Sequence, residues 1–272
     1  MKKCLALAIL LGSATPAFAQ EEEPPKAVTV SGSVALVSDY RFRGVSQTDE
    51  EMAIQGGLTV SHESGLYGGV WASNLSGWGT FGGANMELDL YAGYKLPLGD
   101  GAALDVGLTW YMYPGGFQNT DFAEPYVKLS GSLGPVTALA GVAYAPKQEA
   151  LGNFSATPQS NGQSEDNLYV WGDLSGGVKG TPLTLKGHIG YSNGNPGLGP
   201  NGTSLSPTGE YLDWMLGADL AIPGTPLTLG VAYTDTDISE SESAYLLPNF
   251  SSTKDGSSIA GSQVVFSVSA AF

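Results

Sequence analysis

Beyond position 4 the chain has no cysteine, it has only two histidines, and lysine and arginine are scarce throughout. Each shortage removes a class of protein. Cys4 lies in the first, export-type segment and has no Leu-x-x ahead of it, so neither a lipoprotein site nor a disulfide-stapled secreted scaffold fits. Once Lys2 and Lys3 are set aside, 26 acidic residues face 9 basic ones (11 less 2), a net charge near −17. That balance excludes nucleic-acid binding, which needs a basic face. No apolar run after residue 19 reaches the roughly 20 residues of a membrane helix. H-E-x-x-H is absent, and His62 and His188 are the only imidazoles available for acid–base work.

What is present begins with Met1-Lys2-Lys3, an apolar run from Leu5 to Leu11, and Ala17-Phe18-Ala19. A basic start, a short apolar core and an A-x-A site read as a secretory signal over residues 1–19. Residues 20–27 form an acidic, proline-containing leader, and residues 28–272 read as one domain with no shift of composition inside it. Thirty-nine glycines spread along the chain argue against an all-helical fold. The other end is more telling. In Gln263-Val-Val-Phe-Ser-Val-Ser-Ala-Ala-Phe272, the residues Val264, Phe266, Val268, Ala270 and Phe272 share one face of a strand, because side chains alternate with period two. A last strand with an apolar face and a terminal Phe resembles the assembly signal of bacterial outer-membrane barrels, and its expected partner is the barrel-assembly machinery.

The same alternation recurs along the whole chain. Val30, Val34 and Leu36 oppose Thr29, Ser31 and Ser33, and the pattern extends through Tyr40 against Asp39 and Arg41. Leu88, Leu90 and Tyr94 oppose Glu87, Asp89 and Lys95; Val106, Leu108 and Trp110 oppose Asp105, Thr109 and Tyr111; Leu216, Ala218 and Leu220 oppose Asp213 and Asp219. Leu66–Leu75 is ambiguous in parity, and Val136–Tyr144 is apolar on both faces. Twelve strands of roughly 9–13 residues follow, the length that a tilted membrane strand needs. Short turns (at 62–65, 97–101, 134–135, 179–182 and 223–226) alternate with long polar loops, as an up-and-down barrel with both ends in the periplasm requires. In lipid every backbone polar group must be paired, so such a sheet closes on itself. The fold class is therefore an all-β, transmembrane antiparallel barrel in the bacterial outer membrane, in contact with its lipid. Tyr40, Phe42, Trp110, Tyr144, Tyr191, Trp214 and Tyr233 fall near the loop ends of the outward parity, where aromatic girdles sit.

Ser38-Asp-Tyr-Arg-Phe-Arg-Gly-Val-Ser-Gln-Thr48, with Gln55-Gly-Gly57, Ser61-His-Glu-Ser-Gly65 and Trp71-Ala-Ser-Asn74, resembles the opening of the TorF family of outer-membrane porins. The likeness runs to Phe272, and it implies a porin without naming a solute.

Closing twelve strands gives a backbone diameter of roughly 24 Å and leaves about 10–14 Å of lumen, which suits small diffusing solutes. The inward parity carries Asp39, Glu87, Asp89, Asp105, Glu124, Asp173, Asp213 and Asp219 against Arg41, Arg43, Lys95, Lys128 and Lys186. These residues are expected to line the pore, with an acidic excess that favours cations weakly or with pairs that brace the wall. Arg41 and Arg43, beside Asp39 on one face, suggest half of a charge-separated constriction or partners for Glu87 and Asp89. Asp105 is expected to join Glu87 and Asp89 in one acidic patch across the short turn. Inward Tyr111, Tyr113, Tyr126, Tyr169, Trp171 and Tyr211 offer a second reading, a channel specific for solutes that stack. A third, an outer-membrane lipid hydrolase, would lean on His188, which faces inward in mid-strand. No cofactor is called for. The loop carboxylates Asp235, Asp237, Glu240 and Glu242 lack the spacing and glycine of a calcium loop.

If the terminal strand directs assembly, deleting Phe272 or making it charged lowers membrane insertion and raises periplasmic degradation. Unchanged levels of heat-modifiable, inserted protein would reject this.

Overall fold

The computed structural model describes residues 27–77, 83–116, 119–152, 164–194, 196, 205–245 and 251–272. Twelve strands form one closed antiparallel barrel: β1 (Val28–Val37), β4 (Ala53–His62), β5 (Leu66–Asn74), β6 (Met86–Gly99), β7 (Ala102–Met112), β8 (Phe122–Leu133), β9 (Val136–Gln148), β10 (Glu165–Gly177), β11 (Leu183–Gly194), β12 (Glu210–Ala221), β13 (Leu227–Thr236) and β14 (Gln263–Ala271). The remaining strands, β2 (Arg41–Phe42) and β3 (Val45–Ser46), pair only with each other. The signal and most of the leader lie outside the described residues, as do Asn161 and Asn201 in the long connections.

Each barrel strand pairs with its chain neighbour, and β1 meets β14 to close the ring. At the seam Ser33 faces Ala271 and Val37 faces Ser267. The last residue continues the ladder: Gly32 N–H donates to the Phe272 carbonyl at 2.8 Å, and Phe272 N–H donates back to Gly32 at 3.0 Å. A Cβ at position 32 would collide with the Phe272 ring, so glycine there lets the terminal aromatic lie across the seam. The terminal Phe thus serves twice, as a backbone rung and as an apolar cover on the lipid side.

The outer surface reverses the usual pattern of burial. Val30, Ile54, Leu66, Leu90, Val106, Leu129, Leu174, Ile189, Leu216, Val231 and Phe266 are all exposed, on every side of the ring. On β7 the apolar outward run from Leu104 to Met112 covers about 22 Å of height at a tilt of about 40°, close to the apolar band of an outer-membrane barrel. Among the described residues no helix is long and apolar enough to cross a membrane; here the strands cross. A closed ladder inside a continuous apolar belt places the protein in the bacterial outer membrane. The parity left open in β5 resolves with Leu66 and Val70 outward, and β9 turns Leu139, Ala143 and Ala145 inward.

The girdle needs one correction. Trp110, Tyr144 and Tyr233 are exposed near the long-loop end, and Tyr144 and Tyr233 donate their hydroxyls to Asp166 (2.6 Å) and Asp235 (2.8 Å). Tyr191 does the same to Glu210. Tyr40 and Phe42 do not belong to this ring. β1 ends at Val37, and Ser38 completes the seam by donating its N–H to Phe266 and accepting the Phe266 N–H on its hydroxyl. The chain then leaves the wall and turns inward. Asp39 holds that turn by accepting from the Ser46 and Thr48 hydroxyls at 2.6 and 3.3 Å.

The long loops gather at one end, so both ends of the described chain sit with the short turns. A cysteine placed at Lys254 is expected to label from outside intact cells, and one at Gly180 is not. Labelling at Gly180 alone would invert the topology.

Candidate functional site

The candidate site is the lumen at its long-loop end, where residues 38–51 fold into the barrel. β2 and β3 form a hairpin in which Arg41 pairs with Ser46 and Phe42 with Val45. Its two-residue turn is Arg43-Gly44, with φ of 49° and 80°. Two positive φ values make the tight turn that matches strand twist, and glycine takes the second without strain. A side chain at Gly44 would strike Thr236 and Asp213, so the tip lies against the β12–β13 wall.

The tip also reaches the opposite wall. Arg43 Nη2 contacts both carboxylate oxygens of Glu124, on β8, at 2.7 Å. Its guanidinium carbon lies 4.1 Å from the ring centre of Tyr169, on β10, and 4.8 Å from that of Phe42. The hairpin enters between β1 and β4 yet touches β8, β10 and β12, so it spans the lumen.

Arg41 ties the base of the hairpin to the last loop. Its Nε pairs with Asp39 at 2.5 Å, its Nη2 with Glu50 at 3.1 Å, and its Nη1 donates to the carbonyls of Gly44, Ile259 and Gly261 at 2.9–3.0 Å. Thr253 donates to Asp49 from both its N–H and its hydroxyl. Val45, Ile259, Ala260, Ile238 and Leu75 pack beneath these polar ties. Hydrogen bonding and apolar burial therefore hold the first and last loops as one cap.

Below the tip the wall is acidic. Glu87, Asp89 and Glu124 are all nearly without solvent exposure. Glu87 accepts the Tyr40 hydroxyl at 2.9 Å, and Tyr40 rests edge-on against Trp71 at 5.4 Å. Asp89 lies within electrostatic reach of Glu87 and Glu124, and its Oδ1 is buried with no hydrogen-bond partner. Arg43 Nη1 is the other buried charged atom in this state.

A second tier lies nearer the short turns, where the Lys128–Asp105 pair is wetter. Lys128 pairs with Asp105 at 3.4 Å, and Lys186 with Asp219 at 2.8 Å. Lys95 sits opposite Asp105 in the β6–β7 ladder. Between the tiers, His188 joins Asp173 through Nδ1 at 2.6 Å and Asp213 through Nε2 at 3.0 Å, while the Tyr169 hydroxyl lies 2.9 Å from Nε2. The partners of His188 are thus two carboxylates and a phenol.

Several placements differ from expectation. Asp39, Arg41 and Arg43 lie on the inserted loop, because the chain leaves the wall at Ser38. Arg41 pairs within its own loop, and Arg43 takes Glu124 in place of Glu87 or Asp89. Asp105 does not join Glu87 and Asp89. Asp89 stands opposite Tyr111 and Asp105 opposite Lys95, six residues and about 20 Å further along the ladder. Asp173, Asp213, Lys128 and Lys186 project inward as the alternation requires.

The inward aromatics have a feature that the pattern did not disclose. Tyr126 lies over Gly107, Trp171 over Gly141, Tyr169 over Gly190, Tyr91 over Gly69 and Tyr67 over Gly93, each so close that a Cβ on the glycine would collide with the ring. An inward glycine on one strand makes a slot for an aromatic on the next. The rings lie along the wall, and Tyr67 and Tyr126 turn their hydroxyls together beside Asp105. Tyr67 and Trp71 were missed as lining residues because the parity of β5 was ambiguous, with the alternate inward glycines as the available signal, and Tyr91 shares the inward parity of Glu87 and Asp89 on β6. The acidic last loop holds a short helix, α1 (Glu240–Tyr245), started by Ser239 and Glu242 in a capping box, with no cluster of metal-ligating side chains among the described residues.

Residues 21–272 match the model of the family described as Gcw_chp, bacterial protein of unknown function, and the chain belongs to that family. No curated protein matches the sequence. Among solved structures, a membrane protein from a study of in-meso crystallization is 12% identical, with a TM-score of 0.50 over 89% of this chain and 83% of that one. A porin aligns at 11% identity and TM-score 0.42 over 90% of this chain and all of its own, and an outer-membrane channel from Pseudomonas putida F1 at 12% and 0.43 over 93% and 100%. At such identities the first of these likenesses speaks to the fold alone.

Removing one member of the buried Arg43–Glu124 pair strands the other. Arg43→Gln and Glu124→Gln are each expected to destabilise the folded barrel by about 3–5 kcal/mol, and the double variant by less than their sum. Heat-modifiability in detergent across this cycle measures it; strictly additive losses would reject the pairing.

Proposed function

We propose that this barrel is an outer-membrane channel for passive diffusion of small solutes or ions, with a weak preference for cations. The observation that carries the reading is the contrast between two surfaces of one closed sheet. The outside is a continuous apolar belt, and the inside is lined by charged and hydroxyl groups, some of which, as in the Lys128–Asp105 pair, remain partly hydrated. A barrel whose only role was to anchor its loops would gain nothing from wetting its interior. The likeness to TorF porins in the opening motif and the terminal strand supports the same reading.

The hairpin sets the narrow point. Passage through the upper tier requires the Arg43 tip to yield, and the tie of Arg41 to the last loop keeps its base anchored while it does. The cation preference follows from Glu87 and Asp89, whose charge the Arg43–Glu124 pair leaves uncompensated. In a narrow, low-dielectric passage such an excess focuses a negative potential. A channel specific for stacking solutes draws less support, because the inward rings occupy glycine slots along the wall.

Purified protein in planar bilayers is expected to conduct. Under a salt gradient its reversal potential should favour cations at low salt and lose that bias as the Debye length shortens from about 30 Å at 0.01 M to about 3 Å at 1 M. Exchanging Glu87 and Asp89 for Gln and Asn should shift the reversal potential toward anions. No shift, or a shift toward cations, rejects the acidic origin of selectivity, and absence of any conductance rejects the channel.

A further inference from the structure

We propose that Glu87, Asp89 and Glu124 form a binding site for a small guanidinium-type cation, and that Arg43 is a tethered occupant with which such a solute competes. The proposal deepens the channel reading and rests on it.

Charge and satisfaction make the first argument. Three carboxylates from β6 and β8 converge at one tier and are shielded from water. Arg43 contacts one of them, Glu124; Arg41 is committed to Asp39 and Glu50, and Lys95 lies six residues further down β6 from Asp89. Glu124 is matched by Arg43, and Glu87 holds the Tyr40 hydroxyl. Asp89 Oδ1 is buried and has no partner, an arrangement that leaves the desolvation of a carboxylate oxygen uncompensated. A buried acceptor in this state calls for a donor.

The present occupant identifies the class of donor. Arg43 offers Nη2 to Glu124 and one face to Tyr169, but its Nη1 is buried without a partner. Its backbone is held in a tight turn against Asp213 and Thr236, and its fork is engaged by Glu124 and Tyr169. A free guanidinium has no such tether and can present its donors to Glu124 and Asp89 together. Planar forks match carboxylates in bidentate geometry and are weakly hydrated, so they lose less on entering a dry site than a compact ammonium does. Two aromatic pairs, Tyr40 with Trp71 and Tyr111 with Phe122, stand beside the tier, surroundings that favour an organic cation over a bare ion. Among the described residues no set of side chains is arranged to hold a metal.

The test uses full-length barrel in detergent and methylguanidinium chloride as the probe, titrated calorimetrically at constant ionic strength against sodium chloride. Wild type is expected to bind saturably. Arg43→Gln removes the competitor and should tighten binding at least tenfold, whereas Asp89→Asn should weaken it at least tenfold. Arg43→Lys keeps the charge without the fork; it should also bind more tightly than wild type and serves if the Gln variant fails to assemble. Absence of saturable binding in wild type and the Arg43 variants, or equal affinity in wild type and Asp89→Asn, overturns the site. In bilayers methylguanidinium should interrupt the sodium current at the concentrations that saturate binding. Binding without conductance rejects the channel and keeps the site; conductance without binding rejects the site and keeps the channel.

Discussion

Backbone pairing in a medium without water is the constraint on which everything else here depends. A free N–H or C=O costs several kcal/mol in hydrocarbon, so the twelve strands have no stable arrangement except a ring. Closure makes the seam between β1 and β14 as necessary as any other ladder, and the chain brings its last residue to it. Phe272 exchanges two backbone hydrogen bonds with Gly32 and lays its ring where a Cβ would stand. The ring of strands then separates two solvents. Side chains of one parity meet lipid and those of the other meet the lumen, and both the apolar belt and the charged interior follow from that single division.

A ring of twelve strands leaves a cavity too wide for its wall side chains to fill from every side. The chain meets this in two ways. Aromatic residues lie flat over inward glycines of neighbouring strands, thickening the wall without crossing the lumen. At the long-loop end the first loop turns inward and crosses it, with Arg43 carried to Glu124 and Tyr169 on the far side. The two tiers differ in solvation as a result. Lys128–Asp105 keeps partial contact with water, whereas Asp219 of the Lys186 pair is buried. Arg43–Glu124 is dry, and there an unmatched charge is expensive. On the proposed channel reading, function and stability press on the same residues at the upper tier, where the buried ion pair stands.

The Ser38–Thr48 motif gains a physical reading from this arrangement. Asp39 accepts from the hydroxyls of Ser46 and Thr48, Arg41 clasps the last loop, Arg43 and Gly44 make the turn, and Tyr40 reaches Glu87. Nearly every polar residue of the motif is consumed in folding one hairpin into the lumen. A motif of this kind reports how a plug is built, and the solute that passes it is a separate matter.

The alternation of Val30 with Ser31, Leu90 with Asp89, and Phe266 with Ser267 was sufficient by itself to determine the barrel, its strand count and the direction in which nearly every wall residue points. It was sufficient because side-chain direction in a strand depends only on parity, a local property. Parity carries no information about where a strand ends or which residues share a level across the ring. Tyr40 and Phe42 therefore read as girdle residues until the turn at Ser38 showed them entering the lumen, and Asp105 read as a neighbour of Glu87 and Asp89 until the ladder placed it about 20 Å away. The pairing of Arg43 with Glu124, 81 residues later in the chain, was decided by tertiary structure alone. Such a contact depends on where a loop comes to rest inside a closed ring, and that follows from the packing of many distant residues at once.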